Sequence, residues 1–145
     1  MEPLDFSVKP PRGPREQLLG VAFLPRTIDK MRGQLPGGNL ARYIVDMPTG
    51  FSAFVLSKLG VDLAAMKAEV ARAATEDDVV AWLRAHADLS QAASINEKLE
   101  KFEIGRLPET EQASVRDFHP VLAGRPELTR FMDIFEADDA EVSAR

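Results

Sequence analysis

The residues of this chain best equipped for chemistry are concentrated in one short run, Leu24-Pro25-Arg26-Thr27-Ile28-Asp29-Lys30-Met31-Arg32-Gly33. Arg26, Asp29 and Arg32 recur at intervals of three, the spacing that brings side chains together on one face of a helix. A carboxylate between two guanidinium groups, with Lys30 beside it, admits two readings. One is a solvated ion ladder on the polar side of the helix, each pair contributing about 0.2–0.5 kcal/mol. The other is an anion site in which Asp29 holds the arginines in position. The second reading draws in neighbouring basic residues, and the candidate ligand-binding set is then Arg12, Arg15, Arg26, Asp29, Lys30, Arg42 and Tyr43. Tyr43 would supply a hydrogen bond, and Asp29 would orient the arginines or act as a base.

Other chemistries find less support. The chain has no cysteine, which removes thiol nucleophiles, thiolate metal sites and disulfides together. The two histidines, His86 and His119, lie outside any nucleophile-elbow context and read as structural or surface residues. They stand 33 positions apart, which fits no two-histidine zinc spacing. Glu76-Asp77-Asp78 is explained by favourable charge at a helix N-terminus, and Asp138-Asp139 falls in an expected tail. Pro36-Gly37-Gly38-Asn39 lacks the Lys-Ser/Thr that a nucleotide loop needs. The expectation is no metal, no cofactor and no assignable catalytic residue. Trp82 and the phenylalanines at helical spacing read as core.

The 145 residues fit one domain, large enough to stabilise itself without metal or disulfides. The net charge of −5 is unevenly spread: residues 1–45 carry seven Lys/Arg against four Asp/Glu, and residues 46–145 eleven against nineteen. An acidic body with a basic N-terminal third argues against nucleic-acid binding, which wants a broad basic footprint. It leaves room for a small anionic ligand or an acidic protein partner. No apolar run approaches the ~20 residues of a membrane span, and the acidic start Met1-Glu2-Pro3-Leu4-Asp5 lacks a signal-peptide core. A soluble cytoplasmic protein is expected.

The elements that must position these residues read as all-α: a single domain of seven or eight short helices. Residues 1–14, with Lys9-Pro10-Pro11-Arg12-Gly13-Pro14 at their centre, are expected to form an extended arm, in which Leu4, Phe6 and Val8 alternate. Residues 15–136 form the helical domain, and 137–145 a polar tail. A buried helix is expected over Arg15 to Ala22. The next starts at Pro25, with Leu24, Ile28, Met31 and Leu35 on one stripe. Residues 39–48 carry both strand and helix signals and are taken as a short helix. Phe51 to Leu59 ends at Gly60. Asp62 caps the following helix, and Thr75 with Asp78 forms a capping box for the next. Ser94 with Glu97, Pro108 and Pro126 mark three further starts, and Pro120 divides the helix begun at Pro108.

The order of these blocks carries a resemblance. Pro11-Arg12-Gly13-Pro14-Arg15, Gly20, Leu24-Pro25-Arg26-Thr27-Ile28-Asp29-Lys30, Tyr43 to Pro48 and Leu59-Gly60-Val61-Asp62 are similar to a bacterial family of small proteins catalogued as domain of unknown function 5069. Ala81-Trp82-Leu83 and Ile134-Phe135-Glu136-Ala137-Asp138-Asp139 look like its later blocks. Relatives often carry an aromatic where Val21 stands and a cysteine where Met47 stands. The resemblance spans nearly the whole chain and implies no catalytic residue or cofactor.

Two functional readings follow. One is a non-catalytic binding or interaction module. The other is a small enzyme or sensor acting on an anionic metabolite through an Arg/Lys-lined pocket around Arg26 and Asp29.

Overall fold

A computed structural model describes residues 1–144, and seven α-helices and one two-stranded hairpin order them. The hairpin pairs β1 (Gln17–Leu18) with β2 (Val21–Ala22) in antiparallel register. The helices are α1 (Leu24–Gly33), α2 (Phe51–Lys58), α3 (Leu63–Arg72), α4 (Glu76–His86), α5 (Ala92–Lys101), α6 (Glu109–Phe118) and α7 (Phe131–Ser143). Short 3₁₀ turns at Leu89–Gln91, Ile104–Arg106 and Pro120–Leu122 join the later helices. The mostly helical reading holds; the small sheet is an addition to it.

Helix α1 lies at the centre. Every side chain from Leu24 to Met31 is buried, charged ones included. Ile28 and Met31 pack with Val55, Leu56, Met66, Val70, Leu83 and Leu99 in one continuous core. The solvated ladder expected of Arg26, Asp29 and Arg32 is therefore absent. A ten-residue helix shows water only one stripe, and here the N-terminal segment, the hairpin and α7 cover the stripe that periodicity assigns to solvent. At its far end Gly33 allows this cover to approach. A Cβ there would lie 2.7 Å from the Phe6 ring, so only glycine admits the contact.

Several local expectations are corrected. Arg15 to Ala22 is not a helix: Leu19 and Gly20 both take positive φ (55° and 77°), the conformation of a two-residue hairpin turn. The Asn96 side chain fixes that hairpin from α5, accepting from the Ala22 amide at 2.8 Å and donating to the Gly20 carbonyl at 2.8 Å. A short apolar run cannot be assigned by periodicity alone. Residues 39–48 are likewise turns and not a helix, with Ala41 at φ 50°. Residues 1–14 do not form an extended arm. The backbone pairs once at Asp5 with Asn39 and then turns through Phe6–Val8, which buries Phe6 but leaves Val8 exposed. The final helix begins at Phe131, not at Pro126, because Arg130 first bridges to Glu103. It also runs on to Ser143, so residues 137–143 are helix and not a polar tail.

Other signals held. Pro25 lies in the first turn of α1, Gly60 takes φ 70° after α2, and the Asp62 carboxylate accepts from the Ala65 amide at 2.9 Å. Thr75 and Asp78 form the capping box of α4. Among the described residues no helix is long and apolar enough to cross a membrane.

Candidate functional site

Burying α1 on all sides puts three charged side chains out of water, and a buried charge is tolerated only when it is paired or neutralised. Arg26, 1% exposed, donates from both terminal nitrogens to Asp139 of α7, at 2.6 and 3.0 Å, and to the Arg12 carbonyl at 3.1 Å. Its Nε is buried with no partner among the described residues. Tyr43 donates its hydroxyl to the same Asp139 carboxylate at 2.9 Å. Burial and the Asp139 charge hold the Tyr43 hydroxyl well above the ordinary tyrosine range, so it remains a donor. Asp29 accepts from the Arg12 amide at 2.9 Å and from the Arg12 guanidinium at 2.9–3.2 Å. That guanidinium also reaches Glu76 at the start of α4, at 2.5 Å.

Lys30 differs. It is 8% exposed, and its amine has no hydrogen-bond or ion-pair partner among the described residues. Nζ lies 5.1 Å from the centre of the Phe23 ring. Burial lowers its pKa to about 7; the Arg26 charge adds to this, and Asp139 opposes it. Phe23 itself caps α1 at φ 70°, a strained conformation for a bulky residue.

Lys30 opens onto a cavity of about 610 Å³ between α1, α2, α6, α7 and the turns of residues 41–50. Seven of the eight phenylalanines line it, all but Phe54. Phe51 stands at the centre of this wall, 5.0 Å from Phe135, 5.3 Å from Phe131 and 5.6 Å from Phe23 and Phe102. Such separations are those of edge-on and tilted aromatic pairs. Ile44, Met47, Phe102 and Phe118 are exposed and form the mouth. Arg42 crosses it, donating to the Phe118 carbonyl at 2.7 Å.

The cavity carries a second polar group. His119, at the end of α6, is buried and pairs through Nδ1 with Asp138 of α7. Its ring sits 5.0 Å from Phe118 and 6.0 Å from Phe135. A histidine oriented by a carboxylate is an arrangement able to move a proton. His86, by contrast, is exposed and stacks on Trp82. Trp82 is only half-buried.

Of the seven residues expected to bind a ligand, Arg26, Lys30, Arg42 and Tyr43 line this cavity. Arg12, Arg15 and Asp29 do not. Arg12 and Asp29 are occupied with each other, and Arg15 pairs with Glu100, Asp133 and Glu136. Sequence reasoning missed Asp138, Asp139, His119 and the aromatic wall. An apolar side chain at helical spacing looks the same whether it faces core or cavity. The signal that existed was Asp138-Asp139 four residues beyond the Phe131, Ile134 and Phe135 stripe, the continuation of a helix. Among the described residues no group of three or more His, Asp or Glu is placed to hold a metal ion.

The arrangement defines a mostly helical domain with an aromatic-walled cavity and a few polar groups in its lining. The chain belongs to the family described as Domain of unknown function (DUF5069), whose model matches residues 8–141. No curated protein matches the sequence.

Proposed function

We propose that this protein is a small-molecule-binding module whose ligand is a largely apolar, ring-bearing compound with one polar function. The observation that carries this reading is the cavity. Its volume falls within the roughly 300–1,000 Å³ typical of small-molecule sites, and apolar walls with a few convergent polar groups are their usual composition. The walls would exclude water from the ligand's rings, while Lys30, Tyr43 and His119 would meet its polar function.

The second reading, an enzyme or sensor for an anionic metabolite, draws on Lys30 and Arg42, the two cations of the cavity without a carboxylate partner among the described residues. Against it, Arg26 is already neutralised by Asp139, and Asp138, Glu111 and Glu141 line the same space. A multiply charged anion would meet three carboxylates against two free cations.

Thermal-shift measurements with ring-bearing alcohols, ketones and monocarboxylates, beside phosphates and sugar phosphates, separate the two. A ligand at 100 times its Kd adds ~2.7 kcal/mol of stability. Stabilisation by the apolar panel, lost in Val115→Trp, which fills the cavity, is the expected result. Stabilisation by the phosphates alone would replace this reading with the second.

A further inference from the structure

Among the described residues five charged or ionisable side chains besides Lys30 are buried, and each has an ion-pair partner: Arg26 and Asp139 share one pair, Asp29 has Arg12, Glu69 has Arg72 and His119 has Asp138. Lys30 alone has none among the described residues, and its amine faces a cavity walled by aromatic rings. An ammonium so placed is poorly solvated, whereas a neutral amine there has a free lone pair.

We propose that Lys30 is a nucleophile that captures an aldehyde or ketone group of the cavity's ligand as an imine. This rests on the reading of the cavity as a binding site for an apolar ligand, and names the polar function as a carbonyl. In the capture step the Nζ lone pair attacks the carbonyl carbon and the carbonyl oxygen takes up a proton, giving a carbinolamine. Loss of water then forms the carbon–nitrogen double bond. Both amine hydrogens of the neutral lysine leave with the carbonyl oxygen, so the step needs no oxidant or reductant.

Three features support the step. Burial beside Arg26 keeps much of the amine neutral near pH 7, the activation that a buried lysine next to another cation supplies. Phe23, Phe51, Phe131 and Phe135 give the cavity an apolar wall, which disfavours the hydrolysis that would reverse the condensation. His119, held at Nδ1 by Asp138, lines the same cavity, and its Nε2, unpartnered among the described residues, gives that cavity a second group able to exchange protons.

The test uses the full chain and benzoylacetone, an aromatic 1,3-diketone that condenses with a neutral amine to a stable enaminone. Saturation-transfer NMR reads binding, intact mass reads the adduct (probe minus one water), and peptide mapping locates it. The expected result is one adduct per chain at Lys30, formed at least about tenfold faster than on surface lysines, which are almost wholly protonated at neutral pH. Lys30→Met keeps the aromatic walls, so it should bind the probe more weakly and form no such adduct; Lys30→Gln serves if the methionine variant does not fold. Binding by both proteins without an adduct at Lys30, or with adducts spread over surface lysines, overturns carbonyl capture and leaves the cavity reading standing. No binding and no adduct in the folded proteins overturns both.

Discussion

Arg26 and Asp139 stand 113 residues apart and form a two-pronged ion pair that ties the central helix to the last one. Removing one partner strands the other charge in the interior. Asp139→Ala is expected to cost about 3–5 kcal/mol in urea unfolding. Tyr43→Phe, which removes one donor to the charged carboxylate and leaves the ion pair, should cost less, about 1.5–3 kcal/mol. A chain ending at Glu136 should be at least as unstable as Asp139→Ala. Wild-type stability in that truncation would mean that the final turns of α7 do not dock.

Asp29 is buried like Arg26, if slightly less completely, but its partner Arg12 is one-third exposed and retains Glu76. Asp29→Ala should therefore cost less than Asp139→Ala, about 1–3 kcal/mol. Ile28→Ala removes buried apolar volume from the same helix and should cost about 2–5 kcal/mol. Chemical denaturation of both variants gives the ranking, and an Asp29→Ala loss exceeding that of Asp139→Ala would contradict this account.

The Lys30 ammonium has a folded-state pKa of about 7 against an ordinary value of 10.5. Between these values the unfolded chain binds a proton that the folded chain does not, so this group makes stability rise with pH, by up to ~1.4 kcal/mol per unit. Below about pH 7 both states are protonated and the penalty is constant. The stability advantage of Lys30→Met over wild type should thus be largest below about pH 7 and shrink toward pH 10. Arg26 and Asp139 act on Lys30, and Arg42, Tyr43, Glu111, His119, Asp138 and Glu141 line its cavity. All are shared by the two proteins, so the difference isolates the lysine. A difference independent of pH would show that the amine is solvated.

Gly33→Ala should destabilise the protein even though alanine is the better helix former. The added carbon would meet the Phe6 ring at 2.7 Å, and overpacking of this kind costs about 1–3 kcal/mol. In a Phe6→Leu background the same substitution should cost less. Equal losses in both backgrounds would place the strain elsewhere.

The sequence by itself determined the helical class, most helix starts and stops, and the importance of Leu24 to Gly33. Those features are local: Pro25 sets one backbone angle, Thr75 and Asp78 satisfy amides within their own turn, and Gly60 admits a left-handed residue. Tertiary structure alone decided what the charges of α1 face. Arg26 and Asp29 at helical spacing look like a surface ladder until Asp139 and Arg12, from elsewhere in the chain, arrive to pair with them. The same distance hid the cavity. Phe51, Phe118 and Phe135 at helical spacing read as core in any helical protein, yet Phe118 is exposed at the cavity mouth. Whether their rings fill space against each other or leave it open depends on how α2, α6 and α7 meet, which no local pattern encodes.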